Sequence, residues 1–428
     1  MKKATILIVL ISMFYAASAQ TIVSDSVQTD GNDVFYSFDN GVVKTVARTW
    51  HVAFSVMPTN FPTNTLQGTT IRVNGGGNYI VKRVPGMKIA DFASFTDTTG
   101  LASWAENMNS DSAWDVGAFN KGWVINQTTA NYGWGKYNPI SKAVETDSSI
   151  WVVYREDGSW IKKMYIEKQD YDTLYTFTYA NMDNTGTYNQ EINKKDYPNR
   201  NFVYVNMDNN NIGNREPANT DWDVVFTKYR TLVAFGPGPM VPYAVTGVLH
   251  NVGVKTEQVD DVEVWTATHT EANLDTRIST IGWDWKSYNP QAMKYDIKDS
   301  STYFVKNTGN SVYEVVFTGF SGGAAEESFF SVRKIVNSVN TVNAVENFTV
   351  YPNPSSDVVN INVAATADIN GVVRIMDVAG KTVYQQNMSV AQGQQVTKAI
   401  DVSALNSGMY FVSITSNNGT STQKLIVK

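Results

Sequence analysis

The chain of 428 residues contains no cysteine. Disulfide staples and thiolate metal ligation are therefore excluded, and an exported form must be held together by apolar cores alone. Histidine is nearly as scarce, with only His51, His250 and His269. Neither an H-E-x-x-H zinc motif nor a glycine-rich phosphate loop is present, so zinc proteolysis and nucleotide chemistry lack their usual residues. No basic run of five residues occurs and the formal net charge is −6, which makes nucleic acid and anionic membrane surfaces poor partners. Long apolar runs are missing too. The stretch from Ala4 to Tyr15 is shorter than the about 20 residues of a transmembrane span, and nothing later in the chain approaches that length.

What is present at the amino terminus is an address. Lys2-Lys3, the apolar run and Ala17-Ser18-Ala19 before Gln20 follow the charged, apolar, small-residue order of a cleavable secretory signal over residues 1–19. Its removal takes away Lys2 and Lys3 and leaves 32 basic against 40 acidic residues, a net charge of −8. The expectation is a protein that enters the periplasm and carries no transmembrane segment.

Residues 33 to 335 are dominated by strand chemistry: Tyr, Trp, Val, Thr and Phe in short alternating runs, punctuated by Asn, Asp and Gly. The stretch also repeats itself once. Val34-Phe35-Tyr36-Ser37-Phe38-Asp39-Asn40, Trp50-His51-Val52-Ala53-Phe54, Trp134-Gly135-Lys136-Tyr137-Asn138-Pro139 and Asp147-Ser148-Ser149-Ile150-Trp151 are answered in order. The second set is Phe202 to Asn209, Trp222-Asp223-Val224-Val225-Phe226, Trp285-Lys286-Ser287-Tyr288-Asn289-Pro290 and Asp299-Ser300-Ser301-Thr302-Tyr303. A period this long marks a duplicated domain rather than a solenoid unit. The expected fold class is all-β, with related domains in tandem over 33–190 and 200–335, a linker over 336–346, and a small immunoglobulin-like sandwich over 347–428.

That last module opens with Val350-Tyr351-Pro352-Asn353-Pro354 and ends on Lys424-Leu425-Ile426-Val427-Lys428. Between them lie Val372 to Lys381, closing on Asp377-Val378-Ala379-Gly380-Lys381, and Ser407-Gly408-Met409-Tyr410-Phe411-Val412. This order of blocks resembles the type A carboxy-terminal sorting domain of the Bacteroidetes type IX secretion system. The resemblance implies engagement of the type IX machinery, passage through the periplasm and outer membrane, and a destination outside the cell or on its outer surface.

In the second copy, Asn219 to Phe226, Val245 to Asn251, Ile281-Gly282-Trp283-Asp284-Trp285-Lys286, Tyr303 to Lys306 and Phe317 to Phe320 together resemble the HmuY family of secreted haem-binding proteins. The first copy follows the same outline more loosely. The resemblance implies a non-enzymatic haem or porphyrin carrier, with haem or haemoproteins as partners and His or Met as axial ligands. Haem also needs an apolar slot for its macrocycle.

Three residues are the candidate ligands. Met240 stands in the Pro- and Gly-rich loop Phe235-Gly236-Pro237-Gly238-Pro239-Met240, which suits a presented thioether. His250 alternates with Val248 and Thr246 and reads equally as a half-buried strand histidine. His269, among Thr266-Ala267-Thr268 and Thr270-Glu271, reads equally as a solvated side chain. His51 occupies the position of Asp223 in the other copy, which suggests a solvent-facing residue with no shared role.

Gly319-Phe320-Ser321-Gly322-Gly323 fits G-x-S-x-G, but no histidine follows His269, so a glycine-rich loop is expected there rather than a nucleophile elbow. The acid pairs Asp221/Asp223 and Asp260/Asp261 match solvated turn positions. A polysaccharide hydrolase would instead need paired acids across a cleft. The alternative to haem is a surface β-module that binds glycan or protein through exposed aromatics.

Overall fold

The computed structural model of the chain describes residues 21–58, 68–126, 130–170, 173–323, 325–335, 345–378, 380–416 and 419–428. The expected signal segment and residues 336–344 of the expected linker lie outside them. Two compact units are present, divided after Ile335. The architecture is all-β, and among the described residues the helices are three-residue 3-10 turns.

In the first unit the two sequence copies do not fold side by side. The strand Asn32–Ser37 of the first copy pairs with Val224–Val233 of the second, and Phe202–Asn206 of the second pairs with Val52–Ser55 of the first. The exchange is reciprocal and keeps register. Val224, Val225 and Phe226 face Tyr36, Phe35 and Val34, while Val52, Ala53 and Phe54 face Val205, Tyr204 and Val203. The strands before these blocks follow suit: Ile22–Gln28 pairs with Glu327–Ile335, and Tyr188–Asn193 with Leu174–Ala180.

A short connection enforces this pairing. Gly41–Ala47 and Val224–Val233 flank Asn32–Ser37 and run parallel to each other, each being antiparallel to the strand between them. Were Val52–Ser55 to take the place of Val224–Val233, residues 48–51 would have to cross over the central strand. A parallel crossover takes about a dozen residues or more, and four cannot make it. Val52–Ser55 therefore pairs elsewhere, with the equivalent strand of the other copy. The tandem boundary expected between residues 190 and 200 consequently falls inside the first half. That half is built from residues 50–213, and the second from residues 21–47 together with 222–335.

Each half has its own core. Phe54, Val81, Trp134, Trp151, Phe177, Val203 and Val205 fill the first; Val34, Tyr36, Val224, Phe226, Trp285, Tyr303, Phe317 and Phe330 fill the second. Trp134 and Trp285, equivalent in the repeat, are both fully buried. The hairpins that follow them match closely. Gly135 to Asn138 pair with Thr146 to Ala143, and Lys286 to Asn289 with Ile297 to Lys294. Asn138 then donates to Glu145 at 3.1 Å, and Asn289 to Asp296 at 2.7 Å.

The second unit is a two-sheet sandwich, as the immunoglobulin-like expectation requires. Strands Val345–Tyr351, Val358–Ala365 and Gln395–Asp401 form one sheet; Thr382–Val390, Ile369–Asp377, Gly408–Ser416 and Gly419–Val427 form the other. Alternating residues such as Val359, Ile361, Val363, Val373, Ile375, Val412 and Ile414 meet between them. The Tyr410 hydroxyl donates to the Asn406 carbonyl at 2.9 Å, a short-range clamp of the kind that fixes sandwich corners.

Candidate functional site

Two of the expected haem ligands, Met240 and His250, stand at opposite ends of one strand. Met240 lies just before the strand Val241–His250, with its side chain 60 % exposed, and His250 is the last residue of that strand. Ten residues of extended chain put about 33 Å between them, so the two cannot stand on opposite faces of one iron. His250 is buried, with Nδ1 3.0 Å from the Asn251 carbonyl and Nε2 2.9 Å from the Arg277 carbonyl, and the neutral ring donates to one of the two. Burial holds its pKa below the ordinary histidine value, although the two carbonyls pull upward. His269 is half-buried, and its ring packs 5.3 Å from that of Phe304. Met240 and His250 therefore do not ligate one iron together.

His51 also differs from expectation. It is buried at 1 % exposure rather than facing solvent. Its ring stacks on Trp160 at 4.4 Å, and Nδ1 accepts from the Met207 amide at 3.0 Å. The acid pairs are structural. Asp223 is buried and accepts from the Phe38 amide at 2.8 Å; Asp260 is tied to Ser301 at 2.6 Å and Lys298 at 2.9 Å. Ser321 Oγ accepts from the Glu327 amide at 2.9 Å, within the connection between two antiparallel strands.

The arrangement that can hold a ligand lies one layer above His250. The segment 271–285 runs along the edge strands of two sheets, Lys255–Val259 of one and Val241–His250 of the other, and is buttoned down by backbone pairs. Thr256 and Asp275 exchange two hydrogen bonds of 2.8 Å, Val248 and Gly282 exchange bonds of 2.9 and 3.1 Å, and His250 N–H donates to Ile278 at 2.9 Å. The close approach depends on two glycines. A Cβ on Gly247 would stand 2.5 Å from the Gly282 carbonyl oxygen, and Gly282 itself has φ +61°, a backbone that side chains disfavour. His250 contributes by holding the Arg277 carbonyl. Lys286 contributes by donating to the Thr246 carbonyl at 2.7 Å and the Trp283 carbonyl at 3.3 Å; burial pulls its pKa down to about 7.

Between this segment, the strand Lys255–Val259 and Asp111 of the first half opens a cleft of about 570 Å³. Its walls carry Tyr229, Glu257, Gln258, Asn273, Asp275, Arg277, Ser279, Thr280, Trp283 and Asp284. Four carboxylates, those of Asp111, Glu257, Asp275 and Asp284, oppose the single guanidinium of Arg277. Three are already engaged: Asp111 accepts from Thr231 at 2.6 Å, Glu257 from Asn273 at 2.8 Å, and Asp275 from the Thr276 amide at 2.6 Å. Asp284 is exposed. The Tyr229 hydroxyl is pushed well above its ordinary pKa, first by burial and then by Asp111 and Asp284, so it remains a neutral donor. Trp283 and Asp284 stand in a block quoted from sequence. What the sequence did not signal is that Gly282 turns the chain, so that Trp285 enters the core and half-buried Trp283 lines the cleft.

A smaller cavity of about 80 Å³ lies between the halves, lined by Trp50, Trp222, Tyr204, Arg72 and Glu216 among others. That is below the roughly 300 Å³ at which small-molecule pockets begin. Glu216, buried at 2 % exposure, accepts from the Phe202 amide. Burial pushes its pKa up to about 8, against the pull of the Phe202 and Asn201 amides.

In the second unit the blocks that mark the two ends of the module are bonded to each other. Asn353 Nδ2 donates to the Lys424 carbonyl at 2.6 Å and its Oδ1 accepts from the Ile426 amide at 2.9 Å. Ser355 exchanges backbone bonds of 2.9 Å with Ile426 and Lys428. Tyr-Pro-Asn-Pro is thus a clip on the terminal strand. The turn between Ile369–Asp377 and the edge strand Thr382–Val390 is closed by Asp377, which accepts from the Lys381 amide at 2.9 Å, with Gly380 at φ +81°.

Residues 349–428 match the family described as secretion system C-terminal sorting domain. Such a tail directs the chain through the type IX machinery of Bacteroidetes to the extracellular space or the outer cell surface. No curated protein matches the chain. Among solved structures, that of dimeric latent PorU from Porphyromonas gingivalis is similar over 67 % of this chain and 26 % of its own length, at 10 % identity and a TM-score of 0.18. This chain thus spans about a quarter of that protein, in a superposition too loose to carry over a fold.

Proposed function

We propose that this exported protein is a binding module for neutral or amino-bearing oligosaccharide, held in the cleft between Trp283, Arg277, Glu257 and Asp111. The observation that carries the reading is the character of the cleft. Its volume of about 570 Å³ falls within the roughly 300–1,000 Å³ of small-ligand sites, yet its lining is hydroxyl, amide and carboxylate with Trp283 and Tyr229 in the wall. Polyhydroxylated rings need many converging donors and acceptors together with an apolar face to rest on. A porphyrin needs the reverse, an apolar slot with two iron ligands.

Charge narrows the class. Four carboxylates against one guanidinium disfavour uronate or sulfated sugars and favour neutral rings or those bearing an ammonium group. Asp111, Glu257 and Asp275 are oriented by the hydrogen bonds they accept and keep further acceptor sites for ligand hydroxyl or ammonium groups. Haem, the expectation drawn from the order of sequence blocks, is the competing reading. It rests on that order, while Met240 and His250 lie far apart.

The test is retention of the mature chain on insoluble neutral and amino polysaccharides. The reading predicts retention that soluble oligosaccharide reverses and that Trp283→Ala reduces severalfold, up to about tenfold, since an aromatic contact is worth roughly 0.5–1.5 kcal/mol. Equal retention of the variant, or none by the parent protein, would count against it.

A further inference from the structure

The paired strands Val224–Val233 and Val241–His250 run together for ten residues and end in a projecting tip, with Val233 opposite Val241. No Asp, Glu, Lys or Arg occurs between Arg230 and Lys255. At the tip Phe235, Met240, Tyr243, Leu232 and Val241 are 66, 60, 51, 48 and 42 % exposed. The Phe235 and Tyr243 rings pack edge to face at 5.0 Å, so the exposed group is ordered by its own contacts.

We infer that this tip is a lipid-contacting anchor, which inserts shallowly into the interfacial layer of a zwitterionic bilayer. Three observations favour lipid over a protein partner. First, the exposed apolar group amounts to roughly 500 Å², short of the about 800 Å² per partner of a stable protein interface; insertion into lipid needs no complementary surface. Second, polarity is graded along the hairpin. Phe235 and Met240 lead, and Tyr243 follows two residues into the strand, where a phenol can stay at headgroup level. Third, the sorting tail delivers the chain to the extracellular space or the outer cell surface, so the tip meets any membrane from its external side. With a net charge of −8 after signal removal, attraction to anionic lipid cannot drive the contact. Apolar transfer must.

The chain's lack of cysteine makes the test direct. Gly238 has nothing within 4 Å of its Cβ direction and no positive φ, so Gly238→Cys offers a unique attachment point for an environment-sensitive fluorophore in the full mature chain. With phosphatidylcholine vesicles the emission should shift to the blue and saturate, and the partition coefficient should be unchanged between 0.1 and 0.5 M salt. Adding Phe235→Ser and Met240→Ser should weaken partitioning by about tenfold or more. Both residues lie on an exposed loop, and unchanged circular dichroism confirms that folding is retained. No blue shift with vesicles, binding that requires anionic lipid, or a concentration-dependent blue shift without vesicles would overturn the inference. The last result would assign the tip to a second copy of the chain.

Discussion

His51 and Asp223 occupy the same place in the two halves and accept the same hydrogen bond with different chemistry. Nδ1 of His51 takes the Met207 amide at 3.0 Å, and Oδ2 of Asp223 takes the Phe38 amide at 2.8 Å. Met207 and Phe38 are themselves equivalent, each just ahead of an Asp-Asn turn. In both cases the acceptor comes from one sequence copy and the donor from the other. The pair therefore marks the strand exchange at the level of single atoms.

His51 makes stability depend on pH in a defined direction. Accepting at Nδ1 requires the neutral ring, with the Nε2 proton toward Asp208 at 3.5 Å, and burial lowers its pKa to about 4. The folded pKa lies below the unfolded value near 6.5, so this stabilising contribution is present above 6.5 and is lost as the pH falls toward 4. The loss is about 3 kcal/mol at 1.36 kcal/mol per pH unit. Urea unfolding at pH 7 and pH 4 should show that His51→Asn, which keeps an acceptor and removes the titration, narrows the difference by about that amount. An unchanged difference would detach His51 from the effect.

Glu216 acts in the opposite sense. Its folded pKa of about 8 lies above the unfolded value, so its contribution is full below pH 4.5 and declines as the pH rises through 8. Glu216→Gln keeps an oxygen for the Phe202 amide and removes the charge. It should raise stability at pH 8 by roughly 3–5 kcal/mol and leave it nearly unchanged at pH 4.5. Thermal unfolding at the two pH values measures this directly.

The exchange of strands predicts which fragments fold. Residues 48–216 hold one complete core, including Val203, Val205 and Met207. Residues 33–190, the repeat as read along the sequence, omit those three side chains and one of the two strands that pair with Val52–Ser55. At roughly 1.5–3 kcal/mol for each buried side chain, the omission is comparable to the whole stability of a domain. Dispersed proton spectra are expected from 48–216 and collapsed spectra from 33–190; the reverse would refute the exchange.

Asn353 should govern the end of the sorting tail. Asn353→Ala removes both bonds to the terminal strand, at about 1 kcal/mol each. Faster hydrogen exchange at the Ile426 amide in the full chain is the expected result. Protection equal to the parent protein would mean that Ser355 alone holds the strand.

Much of this was legible in the residues, for identifiable reasons. The period of two in Val359, Ile361 and Val363 specifies a sheet face, and the Trp-x-x-Tyr-Asn-Pro blocks specify a hairpin. The exchange was less visible, because a swapped strand presents the same alternation and register as an unswapped one. The four-residue connection 48–51 was the available clue. The candidate cleft escaped for a different reason. The three histidines and Met240 drew attention as ligand-type side chains, whereas the cleft is made of common polar residues brought together by segment 271–285. His250 belongs to that site only from beneath, through the Arg277 carbonyl.

The central claim is that the cleft at Trp283 takes a polar ring system, and calorimetric and spectroscopic titration of one preparation of the mature chain tests it most directly. With neutral or amino-sugar oligosaccharides the account predicts saturable heat at one site per chain, weakened severalfold, up to about tenfold, by Trp283→Ala, with no Soret shift on adding haemin. A haemin Soret shift that Met240→Ala or His250→Ala removes, together with no heat from any sugar, would contradict it.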